Sequence, residues 1–516
     1  MQFHKILAGT ILAAVCTYAS AQTLYPENGA KDVAYDSQLV INFDVEPELT
    51  PTASVYIYDS KGNLVDSIKF ADETQVFADG SKVAVGAQLV RKEGKSVYIT
   101  PHNYKLAPAS SYYVILDNGA IKAGDFNGFA AGAWEFSTKA EPSIASNTIT
   151  INNSTNKDNN ADFHSIQAAL DYVKDKEGTF TLSLAPSKYY ELLHYNGKAN
   201  IVLQGPKDNN RGDNCVIEYI NCNDLNGSQN TRVSFFFIGA DLTLENVTLI
   251  NSADGEKVYS SATKYASGNA QAETIFFKSG KGHKLVAYNS SFKGHQDTMQ
   301  ISGKCWFYNC YIEGDVDYIW GTADVALFEE CDLYCLRYVK DRAYLFETRV
   351  GSTENPLVPK GFVLFNSTVT VAKNQTAFYG RRATAVEKAK SPYYDQCAIV
   401  NVNFVGEGNF GDMRWYVGKP PRVTKEPAHI GWKEYNVNLK ELQGRKPSDT
   451  AKRYKDAADI SKKVYKKEYS NRDLIMNRVY NTDKSAYEAD TQTPWDINQL
   501  ARDRGYNVKN LPKQKK

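Results

Sequence analysis

The sequence predicts an all-β chain in which a coil of stacked parallel strands follows a small antiparallel sandwich. Three observations carry this. Six short segments resemble one another: LTLENVTL (Leu242 to Leu249), LVAYNSSF (Leu285 to Phe292), CWFYNCYI (Cys305 to Ile312), ALFEECDL (Ala326 to Leu333), FVLFNSTV (Phe362 to Val369) and CAIVNVNF (Cys397 to Phe404). The fifth position is asparagine in five of the six, and repeats of this length with alternating apolar positions describe a solenoid whose coils bury their inward side chains on one another. Ahead of them, alternating runs divided by turn residues describe a sandwich instead.

In chain order, residues 1–21 read as a secretory signal peptide. Lys5, the apolar run Ile6 to Val15 and the small residues Ala19, Ser20 and Ala21 before Gln22 follow the order of such leaders. Acylation at Cys16 is the alternative, disfavoured by the bulky Val15 before it. The mature chain is expected to be exported, periplasmic or secreted, without membrane insertion, since no other stretch is apolar enough to span a bilayer. Residues 22–140 form the sandwich, with strands at Gln38 to Phe43, Ser54 to Tyr58 and Ser111 to Leu116 and turns at Lys61-Gly62-Asn63 and Asp117-Asn118-Gly119. Residues 145–450 form the coil. Within it, Asp162 to Lys174 carries Ile166, Ala169, Leu170 and Val173 on one helical face and is expected to cap the open N-terminal strand edges. The recurring asparagines are expected to stack at a corner, their amides satisfying backbone groups at the bend. Loops at 252–268, after Gly351 and after Ala383 break the period and are expected to wall a cleft. Residues 451–516 read as a surface-lying or partly helical extension with a mobile end.

A net charge of +1 gives no support for attraction to nucleic acid, and none is expected as a partner. Seven cysteines remain after the leader, so at least one is unpaired. Cys310 and Cys331 stack in adjacent repeats, where a bridge is conceivable but a ladder of buried thiols is the preferred reading. The histidines are scattered, and neither a zinc spacing nor a phosphate-cradling glycine loop is present; no metal or cofactor is expected.

The chemistry points to Asp297 and Asp317. AYNSSFKGHQD lies over FYNCYIEGDVD when Asn289 is set on Asn309, so each aspartate falls eight residues past its asparagine. Equivalent positions of adjacent coils lie about 4.8 Å apart, close enough for two carboxyl groups to alter each other's protonation. His295, two residues before Asp297, is placed on the same strand face and is a candidate substrate contact.

The two aspartates sit in GHQDT (Gly294 to Thr298) and GDVDYIWG (Gly314 to Gly321). With QAETI from Gln271, YGR from Tyr379 and IGWKEYN from Ile430, in that order over roughly residues 145–450, the chain resembles the pectin methylesterases, carbohydrate esterases built on a right-handed parallel β-helix. The opening YPENGAKDV and closing GAWEFST of the first module resemble bacterial immunoglobulin-like modules. The resemblance implies hydrolysis of uronate methyl esters in a pectic polysaccharide by a cofactor-free monomer. Asp317 would be the nucleophile and Asp297 the acid and then the base. Arg381 would hold Asp317 ionised, and Gln271 and Gln296 would donate to the oxyanion. Tyr318 and Trp320 are candidate sugar platforms. The chain departs from the family pattern after Arg381, where Arg382 and Ala383 stand in place of proline and tryptophan; Arg382 is a candidate contact to a neighbouring uronate. A lyase, a glycoside hydrolase and a non-catalytic pectin-binding protein are the competing readings, since the fold does not fix the function.

Overall fold

The computed structural model describes residues 22–156, 159–207, 210–253, 271–278, 280, 282–337, 341–349, 355–382, 394–416, 429–447 and 457–513. The chain divides into two compact units. The first takes residues 22–33, 38–71 and 89–138; the second takes residues 34–37, 72–88 and the described residues from 139 to 513.

The first unit holds two main sheets. One runs in the order Gln22–Tyr25, Leu39–Phe43, Ser96–Ile99 and Val90–Glu93, antiparallel throughout. The other orders Ala30–Val33, Glu135–Thr138, Ser111–Leu116, Ser54–Asp59 and Leu64–Lys69. Alternation decides what is inside: Val55, Ile57, Val97 and Val114 are fully buried, while their strand neighbours are partly exposed. Trp134 is buried with them, and its indole N–H donates to the Pro26 carbonyl at 2.8 Å.

The second unit is a right-handed parallel β-helix with three faces. The first face stacks Leu193–Asn196, Phe235–Ile238, Ile275–Lys278, the start of Met299–Tyr308, the start of Ile319–Glu329, Arg342–Thr348 and Thr376–Arg382. The second stacks Asn200–Gln204, Leu242–Glu245, Lys284–Tyr288, the later halves of the same two long strands, Gly361–Phe365 and Cys397–Val400. The third includes Thr248–Asn251, Ser291–Lys293, Tyr311–Gly314, Asp332–Cys335 and Thr368–Val371. Every pairing along the three faces is parallel, so the inward residues form continuous columns, of which Leu244, Ala287, Phe307 and Phe328 are one.

The recurring asparagines occupy the corner between the second and third faces. Asn246, Asn289, Asn309, Asn366, Asn401 and Asn436 all have φ between +49° and +55°, a left-handed turn that asparagine tolerates better than most residues. Their amides form a ladder, Asn289 donating to Asn246 at 2.7 Å and Asn309 to Asn289 at 3.0 Å. All seven described cysteines are free, so Cys310 and Cys331 form no bridge; each thiol points at a carbonyl of the neighbouring coil instead.

The helix of the early coil runs Ile166–Val173, started by Ser165, whose hydroxyl accepts from the Ala168 N–H. Its apolar face, Ile166, Ala169, Leu170 and Val173, joins the coil's core. Residues 457–513 form short helices and the hairpin Arg478–Asn481 with Ala486–Ala489. This segment covers the outer side of the second face, where Trp306, Leu327, Val363 and Val400 pack against Tyr469, Ile475, Met476 and Ile497. The expected leader, residues 1–21, and most of the period-breaking loops lie outside the described residues.

Candidate active site

Asp297 and Asp317 end the turns that carry the chain from the third face to the first, just before Met299 and Ile319, which pair with each other. The carboxylates therefore belong to successive coils in register. Both residues adopt left-handed φ, +66° and +52°, and the Asp297 N–H donates to the Val316 carbonyl at 3.0 Å, binding one turn to the next. A Cβ on Gly314 would come within 2.2 Å of the Tyr318 Cβ, so the second turn closes only with glycine.

The surroundings of the two aspartates differ. Asp317 is gripped by Arg381 from the strand two coils on: Nε donates to Oδ1 at 2.6 Å and Nη2 to Oδ2. A two-point guanidinium contact fixes the plane of a carboxylate and aims its oxygens. Arg381 in turn lies 4.5 Å over the Tyr344 ring, and its guanidinium pKa is raised against the lowering effect of burial by bonding to Asp317. Asp297 is only 4% exposed, and its pKa is raised well above the usual aspartate value by burial first, then by the charges of Glu273, Asp317 and Glu347. Arg232 approaches Asp297 at 3.5 Å, but its guanidinium is already committed to Glu273 through Nε at 2.8 Å and Nη2 at 2.6 Å, so it offsets the raising effects only in part.

Gln271 is oriented by the same arginine. Arg232 Nη1 donates to Gln271 Oε1 at 2.6 Å, which turns the amide nitrogen toward Asp297 Oδ2, 2.8 Å away. One amide hydrogen serves that bond and the second is left for the cleft. The cleft is an opening of about 490 Å³ lined by Gln271, Gln296, Val316, Arg342, Tyr344 and Arg381, among others. It brings together the two glutamines and the arginine singled out in the sequence.

Other expectations are corrected. Tyr318 points into the coil, fully buried, with its hydroxyl 3.6 Å from the Cys335 thiol, so no sugar can reach it. Trp320 faces outward, between Gln300 and Glu347 in the parallel register, yet it is 3% exposed with the Arg349 guanidinium 4.6 Å over its ring. That ring face is taken. His295 sits in the turn, not on a strand, so it does not share a pleated face with Asp297. Arg382 follows Arg381 in one strand and therefore points the other way. Neither His295 nor Arg382 lines the cleft.

Sequence reasoning missed Arg232, Glu273 and Glu347. Glu273 lay inside QAETI, two residues past Gln271, and alternation alone would have put both on one side. Arg232 precedes the strand Phe235–Ile238 in a loop and carries no repeat signature. Glu347 pairs with Arg349 at 3.0 Å and lies between Trp320 and Arg381 in register, a position visible only once the coils are aligned.

Fold and site thus define a parallel β-helix protein with an open cleft beside paired, unequally held carboxylates. Residues 152–393 match the family model described as Pectinesterase, and residues 17–138 match the bacterial Ig-like domain model. The first of these matches falls within the β-helix unit and marks that part of the chain as similar to the pectinesterases. Relatives include a probable pectinesterase A of Aspergillus fumigatus, 42% identical over 92 residues, which are 17% of this chain and 27% of the relative. Another is a probable pectinesterase/pectinesterase inhibitor of Arabidopsis thaliana, 31% identical over 146 residues, 25% of this chain and 28% of the relative. The chain spans less than half the length of these relatives. Similar solved structures include the pectin methylesterase PemA from Erwinia chrysanthemi, 18% identical over 64% of this chain and 98% of that one with a TM-score of 0.46. Pectin methylesterase from carrot is 16% identical over 63% and 92%, with a TM-score of 0.45.

Proposed function

We propose that this protein hydrolyses methyl esters of uronate residues in a pectic polysaccharide, releasing methanol and leaving free carboxylates. The observation that carries the reading is the asymmetry of the aspartate pair: one carboxylate is gripped at two points by Arg381, while its neighbour is buried among other acids that raise its pKa. A carboxylate aimed by a guanidinium, next to one whose surroundings raise its pKa, suits a nucleophile beside an acid.

In this reading Asp317 attacks the ester carbonyl, and the carbonyl oxygen takes up negative charge. The free amide hydrogens of Gln271 and Gln296 meet that charge in the cleft; losing one such donor commonly costs about a hundred-fold or more in rate. Collapse of the adduct breaks the bond to the methoxy group, Asp297 gives its proton to the departing oxygen, and methanol leaves. The enzyme is left as a mixed anhydride on Asp317. Asp297, now ionised, takes a proton from water as the water attacks that anhydride, which frees the uronate and restores both side chains. No step requires a metal or a cofactor.

Export fits an enzyme acting on a polymer outside the cell, and no helix among the described residues is long and apolar enough to cross a membrane. The test is methanol release from highly methylated homogalacturonan. The wild-type chain should release methanol without new reducing ends, and Asp317→Asn should lose roughly 10⁴-fold or more in kcat, as when a nucleophile is removed. New reducing ends or unsaturated products from the wild type would instead support chain cleavage.

A further inference from the structure

The cleft does not end at the aspartates. Beyond Arg381 it continues along the start of the strand Arg342–Thr348, where Arg342 and Tyr344 line it. The two residues are two apart and share one outward side, about 7 Å along the strand. Ala343 and Leu345 fill the core between and after them, and Phe346 is buried as well, so the outward phase slips by one residue at that point. The slip turns the Arg342–Tyr344 side toward Arg381 instead of away from it.

Three rings build this wall. Tyr344 stacks on Phe378 at 5.7 Å and 28°, and the Tyr416 ring stands edge-on to both, at 4.9 Å and 5.5 Å. Backbone bonds fix the arrangement: Tyr344 N–H donates to the Asp315 carbonyl at 3.0 Å, and Tyr416 N–H to the Gly380 carbonyl at 3.1 Å. A Cβ at Gly411 would fall 2.1 Å from the Phe378 ring, so the ring keeps its place only beside glycine. A guanidinium stands at each end of the cluster. Arg381 lies over Tyr344 and is occupied by Asp317. Arg342 is exposed, 6.0 Å from the Tyr416 ring centre with Nη1 3.4 Å from the Tyr416 hydroxyl, and among the described residues it forms no ion pair.

We propose that Arg342, seated on Tyr416 and Tyr344, forms a second subsite that takes the free carboxylate of another uronate in the polymer whose ester lies at Asp317. This rests on the esterase reading and extends it: the substrate is a chain carrying esters and acids together. A guanidinium on a cleft, backed by rings and bonded to no carboxylate among the described residues, matches a carboxylate in charge and in planar shape. The Tyr416 ring beside it offers a face for the apolar side of a pyranose. Asp341 borders the same cleft and opposes an anion there, so it tunes the subsite downward.

Calorimetry with an unesterified galacturonate oligomer tests the subsite directly. Arg342→Gln should weaken binding about tenfold, Arg342→Lys should keep part of it, and Asp341→Asn should tighten it about two- to threefold. In methanol release, Arg342→Gln should raise KM for partly de-esterified oligomers several-fold more than for fully esterified ones. Wild-type binding of the unesterified oligomer by Arg342→Gln, or an equal rise in KM on both substrates, overturns the subsite. Absence of methanol release by the wild-type chain overturns the esterase reading instead, and the calorimetry still judges Arg342 by itself. Arg342 is exposed, so thermal melting should match the wild type and separate lost binding from lost folding.

Discussion

Asp297 concentrates the chemistry and the cost of the site in one side chain. Its pKa is raised, so the folded protein keeps a proton that the unfolded chain releases near the ordinary aspartate value of about 3.9. Between that pH and the folded pKa the native state binds more protons than the unfolded state, and stability falls as pH rises. The penalty is complete above the folded pKa. Asp297→Asn removes it, so this variant should melt a few degrees higher than the wild type at neutral pH while losing methanol release; a lower melting temperature would show that the charge is better compensated than its burial indicates. Glu347 is one of the acids that hold the proton on Asp297. Glu347→Gln should therefore shift the basic limb of the pH profile of kcat/KM toward acid by about half a unit to one unit. An unmoved limb would leave Glu347 only the task of pairing with Arg349. The pairing of Asp297 with Asp317 was legible in the sequence because repeat register and flanking motif converge on them, whereas Arg381 was reached only through the YGR motif. Tyr318 and Trp320 were misread because alternation gives two sides but not which of them is covered, and Arg349 covers Trp320 from a different coil.

At the scale of the element, the corner ladder shows what a repeat encodes. Each asparagine combines a left-handed φ with an amide that bonds the one below it. Glu330 stands at the same corner, with φ +53°, and breaks the ladder between Asn309 and Asn366; its carboxylate turns outward to Lys509 at 2.6 Å. Lys509 is 70% exposed, and a pair so placed contributes little. Glu330→Asn restores both the tolerated φ and the amide ladder, and should stabilise the protein by roughly 0.5–1 kcal/mol, read as a higher urea midpoint with unchanged slope. A lower midpoint would mean that the link to Lys509 matters more than the ladder. This corner was readable because its residue type recurs. The slip between Leu345 and Phe346 was not, since two successive buried residues look in sequence like any apolar pair.

For the whole molecule, the coil and the segment 457–513 act as one core. Glu329 lies on the second face, 3% exposed, and Arg472 of the C-terminal segment meets it with Nε at 2.9 Å and Nη2 at 2.7 Å. Glu245, equally buried, is met by Arg504 and by the Tyr506 hydroxyl. Removing one partner of such a pair leaves an uncompensated charge, so Arg472→Met should cost about 3–5 kcal/mol, and Glu329→Gln in the same chain should recover part of it. Denaturant midpoints of the single and double variants check this. Equal midpoints for Arg472→Met and the wild type would mean that the segment is held by its apolar contacts alone.

The sequence by itself determined the coil, its corner and the pairing of two aspartates, because a stacked repeat turns equal positions in the chain into neighbours in space. Only the tertiary structure decided that Arg232 fixes Gln271, that Arg349 covers Trp320, and that the cleft runs on to Arg342. Those contacts join coils and loops with no common register, and side-chain reach across a face leaves no periodic trace in the chain.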